Sequence, residues 1–231
     1  MPILTLAFLA AVALNVLVRL VLSARQQRTV RRHREAVPSA FAGSVTLEDH
    51  QKAADYTVDR LKVGQVDLLL DTGVLLALTL GGGLDLLNTW VARLPLGAVA
   101  HGALSLLALL LLSSLIGLPI DLWRTFGVEA RYGFNRMTPR LYVADLLRSL
   151  ALSVVLGGPL IALVLALMQW SDRRWWLYAW IVWTAFSLAV AFFYPRFIAP
   201  LFNTFKPLEP GPMRDAVERI MSACGYATDG V

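Results

Sequence analysis

The sequence contains one cysteine, Cys224, and only three histidines, His33, His50 and His101. A single thiol forms no disulfide within the chain and no cysteine-based metal cage. A helical zinc-peptidase site needs two histidines one turn apart, so that both imidazoles reach one metal. A glutamate beside the first then deprotonates the bound water. His33 is followed by Arg34-Glu35-Ala36-Val37, which lacks the second ligand, and His50 has no histidine four residues to either side. His101 stands near the outer end of an apolar stretch. All three therefore read as loop or interface histidines. No Gly-x-Ser-x-Gly elbow or Ser-x-x-Lys element supplies a nucleophile, and Gly81-Gly82-Gly83 has no following Lys-Ser/Thr to make a phosphate loop. On these absences the chain by itself is expected to hydrolyse nothing, with no catalytic residue, metal site or cofactor of its own.

Charge is also scarce. Charged residues are 16% and hydrophobic residues 57% of the 231, against about 25% and about 45–50% in soluble domains. A soluble chain of this size could not hide that much apolar surface, so lipid must cover part of it. Five stretches are long and apolar enough to cross a hydrocarbon core of about 30 Å, which takes roughly 20 helical residues. They run near Ile3–Leu22, Val66–Leu87, Gly97–Leu118, Leu141–Met168 and Trp175–Tyr194. The expected fold is an all-α membrane protein, a polytopic bundle of about five transmembrane helices with cytoplasmic amphipathic helices.

A cleaved signal peptide carries its positive charge before its apolar stretch. Here the charge follows, as Arg25, Arg28, Arg31, Arg32 and Arg34, so the first span reads as a retained anchor with its N-terminus outside. Alternating the spans from that start places segments 23–65, 119–140 and 195–231 inside, with eight, four and four Lys/Arg. The outer segments 88–96 and 169–174 hold only Arg93, Arg173 and Arg174. Sixteen against three follows the positive-inside rule. Trp90, Trp170, Trp175 and Trp176 then fall at the outer boundary and Trp123 at the inner one, the depth amphipathic rings favour. The same basic clusters, set between apolar stretches, argue against a nucleic-acid footprint. The localisation expected is a multi-pass membrane protein with a cytoplasmic C-terminus, in the inner membrane if the source is bacterial.

Two segments outside the spans read as helices. Thr46 with Asp49 resembles a capping box ahead of the stripe Leu47, Ala54, Val58 and Leu61. Val217, Ile220, Met221 and Cys224 repeat at helical spacing, with Gly225 as a C-cap. This last helix has an apolar face with almost no chain after it to cover it. Within the spans, Asp67 and Asp71 share a helix face about 6 Å apart. Either they wall a water-filled cavity or they are wetted near the headgroups. An ionised carboxylate at the bilayer centre costs roughly 2.5–3.5 kcal/mol on insertion scales. Asp145 and Arg148, three apart, are expected to pair. Gly157-Gly158-Pro159 should kink the fourth span, and Pro195 and Pro200 should stop the fifth.

Three stretches stand out together: HREAVPSAF through LEDHQKAADYT (33–57), EARYGFNRMT (129–138) and YPRFIAPLFNTFKPLE (194–209). In this order and spacing they resemble the N-terminal half of the type-1 CAAX prenyl proteases, membrane zinc metallopeptidases. The resemblance implies seven spans around a water-filled chamber in the complete protein. It also implies a later helix bearing His-Glu-x-x-His and a further Glu, with zinc as cofactor. Substrates would be prenylated C-terminal peptides or membrane proteins. Residues 1–209 would be the transmembrane N-terminal domain and 210–231 the incomplete start of the cytoplasmic peptidase domain. The sequence reaches Val231 before the zinc motif, so a truncation before it is expected. Possible chamber-lining residues are Asp67, Asp71, Asp145 and Arg148. Family-motif positions without an assigned role are Glu129, Phe134, Asn135, Arg136 and Asn203. Glu129, Asn135 and Arg136 either contact the missing domain or, with Gly133, simply build a turn. The family pattern commonly has His where this chain has Tyr132.

The partners expected are the lipid bilayer and a peptidase domain, or another protein, covering Val217, Ile220 and Met221; nucleic acid is not among them. A non-catalytic membrane scaffold derived from the same family is the alternative reading. A small transporter built on Asp67, Asp71 and Asp145 is a third, without the internal repeats such proteins usually show.

Overall fold

The computed structural model describes residues 2–41, 43–171, 173–203, 206 and 208–225. Among these, every regular element is helical. We number the helices α1 (Ile3–Arg32), α2 (Leu47–Thr79), α3 (Gly83–Val91), α4 (Ala98–Tyr132), α5 (Pro139–Trp170), α6 (Trp175–Phe202) and α7 (Pro212–Ala223). Helices α1, α4, α5 and α6 are each long and apolar enough to cross a membrane, and α2 with α3 makes a fifth, bent span. The all-α polytopic architecture follows.

The chain divides into two compact units, Met1–Gln169 and Trp170–Val231. In the first, α2 is central: it supplies Ala54, Val58, Val63 and Leu68 to a small buried set that includes Ala103 and Val128. It lies antiparallel to α1, since Gln65 Nε2 donates to Ser23 Oγ at one level and Arg34 grips Asp55 further along. It is antiparallel to α4 as well, with Arg124 reaching Asp67 and Tyr132 reaching Asp59. Because Asp55 and Asp59 are one turn apart on α2, the arginine-rich end of α1 and the α4–α5 turn share one end of this unit.

Most large apolar residues of the spans stay exposed, among them Leu14, Leu17, Leu110, Leu115, Leu147 and Val155. In water such a surface would drive association. In a bilayer it is solvated by acyl chains of equal apolarity.

Several local expectations meet a different outcome. The second span is not a separate element from Val66 to Leu87: α2 runs unbroken from Leu47, past its Thr46 cap, to Thr79. Thr46 Oγ1 accepts from the Asp49 N–H at 3.1 Å, as the capping pattern requires. The chain then bends by 61° into α3. The glycine triplet makes that bend: Gly82 has φ +77°, and a Cβ on Gly81 would meet the Ala77 carbonyl oxygen at 2.6 Å. Pro195 and Pro200 do not stop the fifth span. Helix α6 continues to Phe202 by widening into a π-helical stretch, Tyr194–Ile198, which relieves the clash between a proline ring and the preceding turn. A second π-helical stretch, Ser153–Gly157, precedes Pro159, so α5 remains one continuous helix from Pro139 to Trp170. A third, Trp123–Glu129, follows Pro119 in α4.

The second unit contains α6 and α7. Pro212 occupies the first position of α7, and Gly225 at φ +77° follows its C-cap, Cys224. Its Ile220 and Met213 are exposed.

Candidate functional site

The turn between α4 and α5 is built by its own sequence. Gly133 adopts φ +81°, a left-handed conformation that ends α4. The Glu129 carbonyl then accepts from the N–H groups of Phe134 at 2.9 Å and Asn135 at 3.2 Å. Asn135 Oδ1 accepts from Met137 N–H at 2.7 Å, an Asx turn. Thr138 caps α5 by accepting from Leu141 N–H, and Pro139 pre-sets its first residue. Gly133 and Asn135 thus have the turn-forming role.

That turn roofs an open cavity of about 460 Å³ lined by Glu129, Phe134, Asn135 and Arg136 together with Tyr142, Asp145 and Ser149 of α5. Four motif positions and one suspected chamber residue therefore meet at one site. Asp145 also accepts from Arg148 Nη1 at 2.8 Å, the pair the spacing predicts. With Thr125 also in its wall, the cavity offers a carboxylate on each helix, a guanidinium, an amide and three hydroxyls, a set suited to binding a polar peptide backbone.

Behind the turn, Tyr132 and Phe134 close on Tyr56 with ring centroids 5.3 and 4.7 Å away. Tyr132 OH donates to Asp59 at 2.9 Å, and Lys62 at 2.9 Å and Arg131 at 3.1 Å complete its partners. The Lys62 ammonium, then the Tyr132 hydroxyl, hold the Asp59 carboxyl below the usual range against the opposing effect of burial. Burial first, and Asp59 second, push the Tyr132 phenol up. Arg34 binds Asp55 through two hydrogen bonds of 2.8 and 2.9 Å, which lowers the Asp55 carboxyl. Arg34 also reaches Glu35, whose other oxygen accepts from Gln51. Stretch 33–57 is thus stapled across the α1–α2 loop and docked on stretch 129–138.

Asp67 does not simply face water: Arg124 Nη2 donates to it at 2.6 Å, while Nη1 of the same guanidinium holds Asp121 at 3.0 Å. Asp71 is exposed, with no side-chain partner among the described residues. Asn203 donates its N–H to the Ala199 carbonyl as the C-cap of α6, in the second unit. Sequence reasoning missed Arg124, Asp59, Tyr56, Tyr142 and Ser149. Only the Asp59/Lys62 and Asp121/Arg124 spacings of three carried a signal.

Residues 26–204 match the family described as CAAX prenyl protease N-terminal, five membrane helices. The chain belongs to that family. The CAAX prenyl protease 1 homolog of Oryza sativa is 28% identical over 208 residues, covering 85% of this chain and 49% of the rice protein. The Arabidopsis thaliana homolog is 29% identical over 197 residues, covering 82% and 46%. The crystal structure of S. mikatae Ste24p has the same fold, with a TM-score of 0.88 at 23% identity over 96% of this chain and 53% of that one. The chain spans about half the length of the curated relatives it matches.

The CAAX prenyl proteases are a zinc metalloprotease family, and the residues here do not fit the metal. Among the described residues no three His, Cys, Asp or Glu side chains gather into a metal-binding set. His33 and His50, read as loop or interface histidines, line one pocket of about 330 Å³. Their rings are turned to backbone: His50 Nε2 donates to the His33 carbonyl at 2.8 Å and His33 Nδ1 to the Thr29 carbonyl at 2.9 Å.

Proposed function

We propose that this chain is the membrane-embedded N-terminal part of a CAAX prenyl protease-like zinc endopeptidase, whose hydrolytic chemistry resides on residues outside these 231. One observation carries the reading: the family stretches 33–57 and 129–138 fold against each other beside a polar cavity, within a family match running over 26–204. Their interlock supports a working membrane part.

In this reading residues 1–209 form the transmembrane domain and 210–231 begin the peptidase domain. Asp67, Asp71, Asp145 and Arg148 wet the wall of an internal chamber, and Glu129, Asn135 and Arg136 bind substrate backbone or the peptidase domain. The apolar face of α7, with Val217, Ile220 and Met221, packs on that domain. The substrates are prenylated C-terminal peptides or membrane proteins. The arginine count supports an N-terminus outside and the α4–α5 turn in the cytoplasm.

The decisive experiment reads the gene beyond the Val231 codon and expresses the extended product. A His-Glu-x-x-His segment, stoichiometric zinc and cleavage of a farnesylated CAAX peptide are expected. A stop codon directly after Val231, in an intact and expressed gene, sinks the reading. The exposed Ile220 and Met213 would then favour a non-catalytic scaffold, recognised by a stable, zinc-free 231-residue product that co-purifies with a protein partner.

A further inference from the structure

A further pocket lies between α1 and α2. It has a volume of about 180 Å³, room for roughly six waters at ~30 Å³ each. Arg19 and Ser23 line it from α1; Arg60, Gly64, Gln65 and Leu68 line it from α2. No carboxylate is among its walls. Neither Arg19 nor Arg60 has an ion-pair partner among the described residues, whereas the carboxylates that α2 presents nearby are engaged elsewhere: Asp59 by Lys62, Arg131 and Tyr132, and Asp67 by Arg124.

Two unpaired guanidiniums in one pocket repel each other unless an anion lies between them. Arg19 also interrupts the apolar first span, where a lone cation is unfavourable without a counter-charge. The neighbouring polar atoms are set for an anion too. Ser23 Oγ already accepts from Gln65 Nε2 at 3.1 Å, so its own proton is available to donate outward. Arg60 is steadied by the Tyr56 ring, 5.6 Å from its guanidinium carbon. Gly64 leaves space that a side chain would fill, since a Cβ there meets nothing within 4 Å.

We propose that this pocket holds the phosphodiester headgroup of an anionic glycerophospholipid, clamped by Arg19 and Arg60, with the Ser23 hydroxyl as a third donor. The pocket's setting selects a lipid over a free phosphate. On the membrane side of Arg19, the same face of α1 carries Phe8, Val12 and Val16, an apolar surface for acyl chains. Arg25 and Arg28 lie further along α1, toward the headgroup layer. The site joins the two helices on either side of the 33–46 connection, so an occupied pocket would brace the α1–α2 pair.

The test is native mass spectrometry of the 231-residue chain released from mild detergent, titrated with phosphatidylglycerol or phosphatidylcholine. Phosphatidylglycerol adducts should survive at energies that strip phosphatidylcholine. Arg19→Gln and Arg60→Gln should each weaken the adduct about fivefold, the worth of one cation near an anionic lipid surface. Gly64→Leu, which keeps both charges and favours the helix, should block it sterically. Arg93→Gln, beside Trp90 in another part of the fold, should leave it unchanged. Equal retention of the two lipids, or full phosphatidylglycerol binding by Gly64→Leu, overturns the proposal. Displacement of the lipid by millimolar inorganic phosphate overturns the choice of a lipid. If the arginine variants fail to fold, Gly64→Leu decides alone.

Discussion

Arg124 donates to Asp67 across 2.6 Å, joining the π-helical stretch of α4 to the middle of α2. Both side chains are about one-third exposed. The pair crosses 57 residues of sequence, and it makes a carboxylate that reads as a cavity wall or a headgroup-wetted charge one end of an interhelical clamp.

Removing that clamp should loosen α2 from α4. Hydrogen bonds to charged groups contribute about 1.5–3 kcal/mol, and the partial exposure places this one at the lower end. Arg124→Ala should cost more than Asp67→Asn, because it also frees Asp121. A double-mutant cycle on thermal unfolding in detergent should give a coupling of about 1 kcal/mol. Strict additivity would show that the pair contributes nothing.

The Asp59 and Asp55 carboxyls are both held below their ordinary value of about 3.9. A depressed carboxyl contributes stability that is present above its unfolded pKa and is lost as pH falls through the folded one. Unfolding temperature should therefore drop below about pH 4. Asp59 should dominate, since its side chain is 18% exposed against 45% for Asp55. Tyr132 has the opposite sign: its raised phenol keeps its contribution below about pH 10 and loses it as pH climbs through the folded value. Melting curves of Asp59→Asn should flatten the acid limb, and those of Tyr132→Phe the alkaline one.

Gly133→Ala should destabilise the α4–α5 turn by about 1 kcal/mol or more, because φ +81° strains any residue with a Cβ. Hydrogen exchange at Phe134 and Asn135, whose N–H groups bond Glu129, should accelerate. Unchanged protection there would disconnect Gly133 from the turn.

Reporter fusions or single-cysteine labelling at residues 25–34 and 131–140 should place both segments on the same side of the membrane. The links from Arg34 to Asp55 and from Tyr132 to Asp59 hold them at one end of the first unit. Opposite sides would contradict the fold itself.

Tyr132→His should preserve the fold with a loss of about 1.5–3 kcal/mol, because the phenol donates to the ionised Asp59 carboxylate. An unfolded product would mean that the phenol holds the turn in a way imidazole does not replace.

Much of this protein was determined by sequence alone, because the deciding forces are local or depend on composition. Twenty apolar residues in a row need lipid whatever they pack against, Thr46 caps the helix that follows it, and Gly133 with Asn135 makes a turn from its own backbone bonds. The Asp145–Arg148 pair belongs to the same class, set by a spacing of three on one helix. The course of the helices past proline did not, since a π-helical stretch absorbs Pro195 and lets α6 run to Phe202. Tertiary structure alone decided that Tyr56 sits against Tyr132 and Phe134, that Asp67 meets Arg124, and that Arg19 and Arg60 line one acid-free pocket. These groups lie 41 to 78 residues apart on three helices. No periodicity reports such distances, because they are set by how the helices pack side by side and at what register.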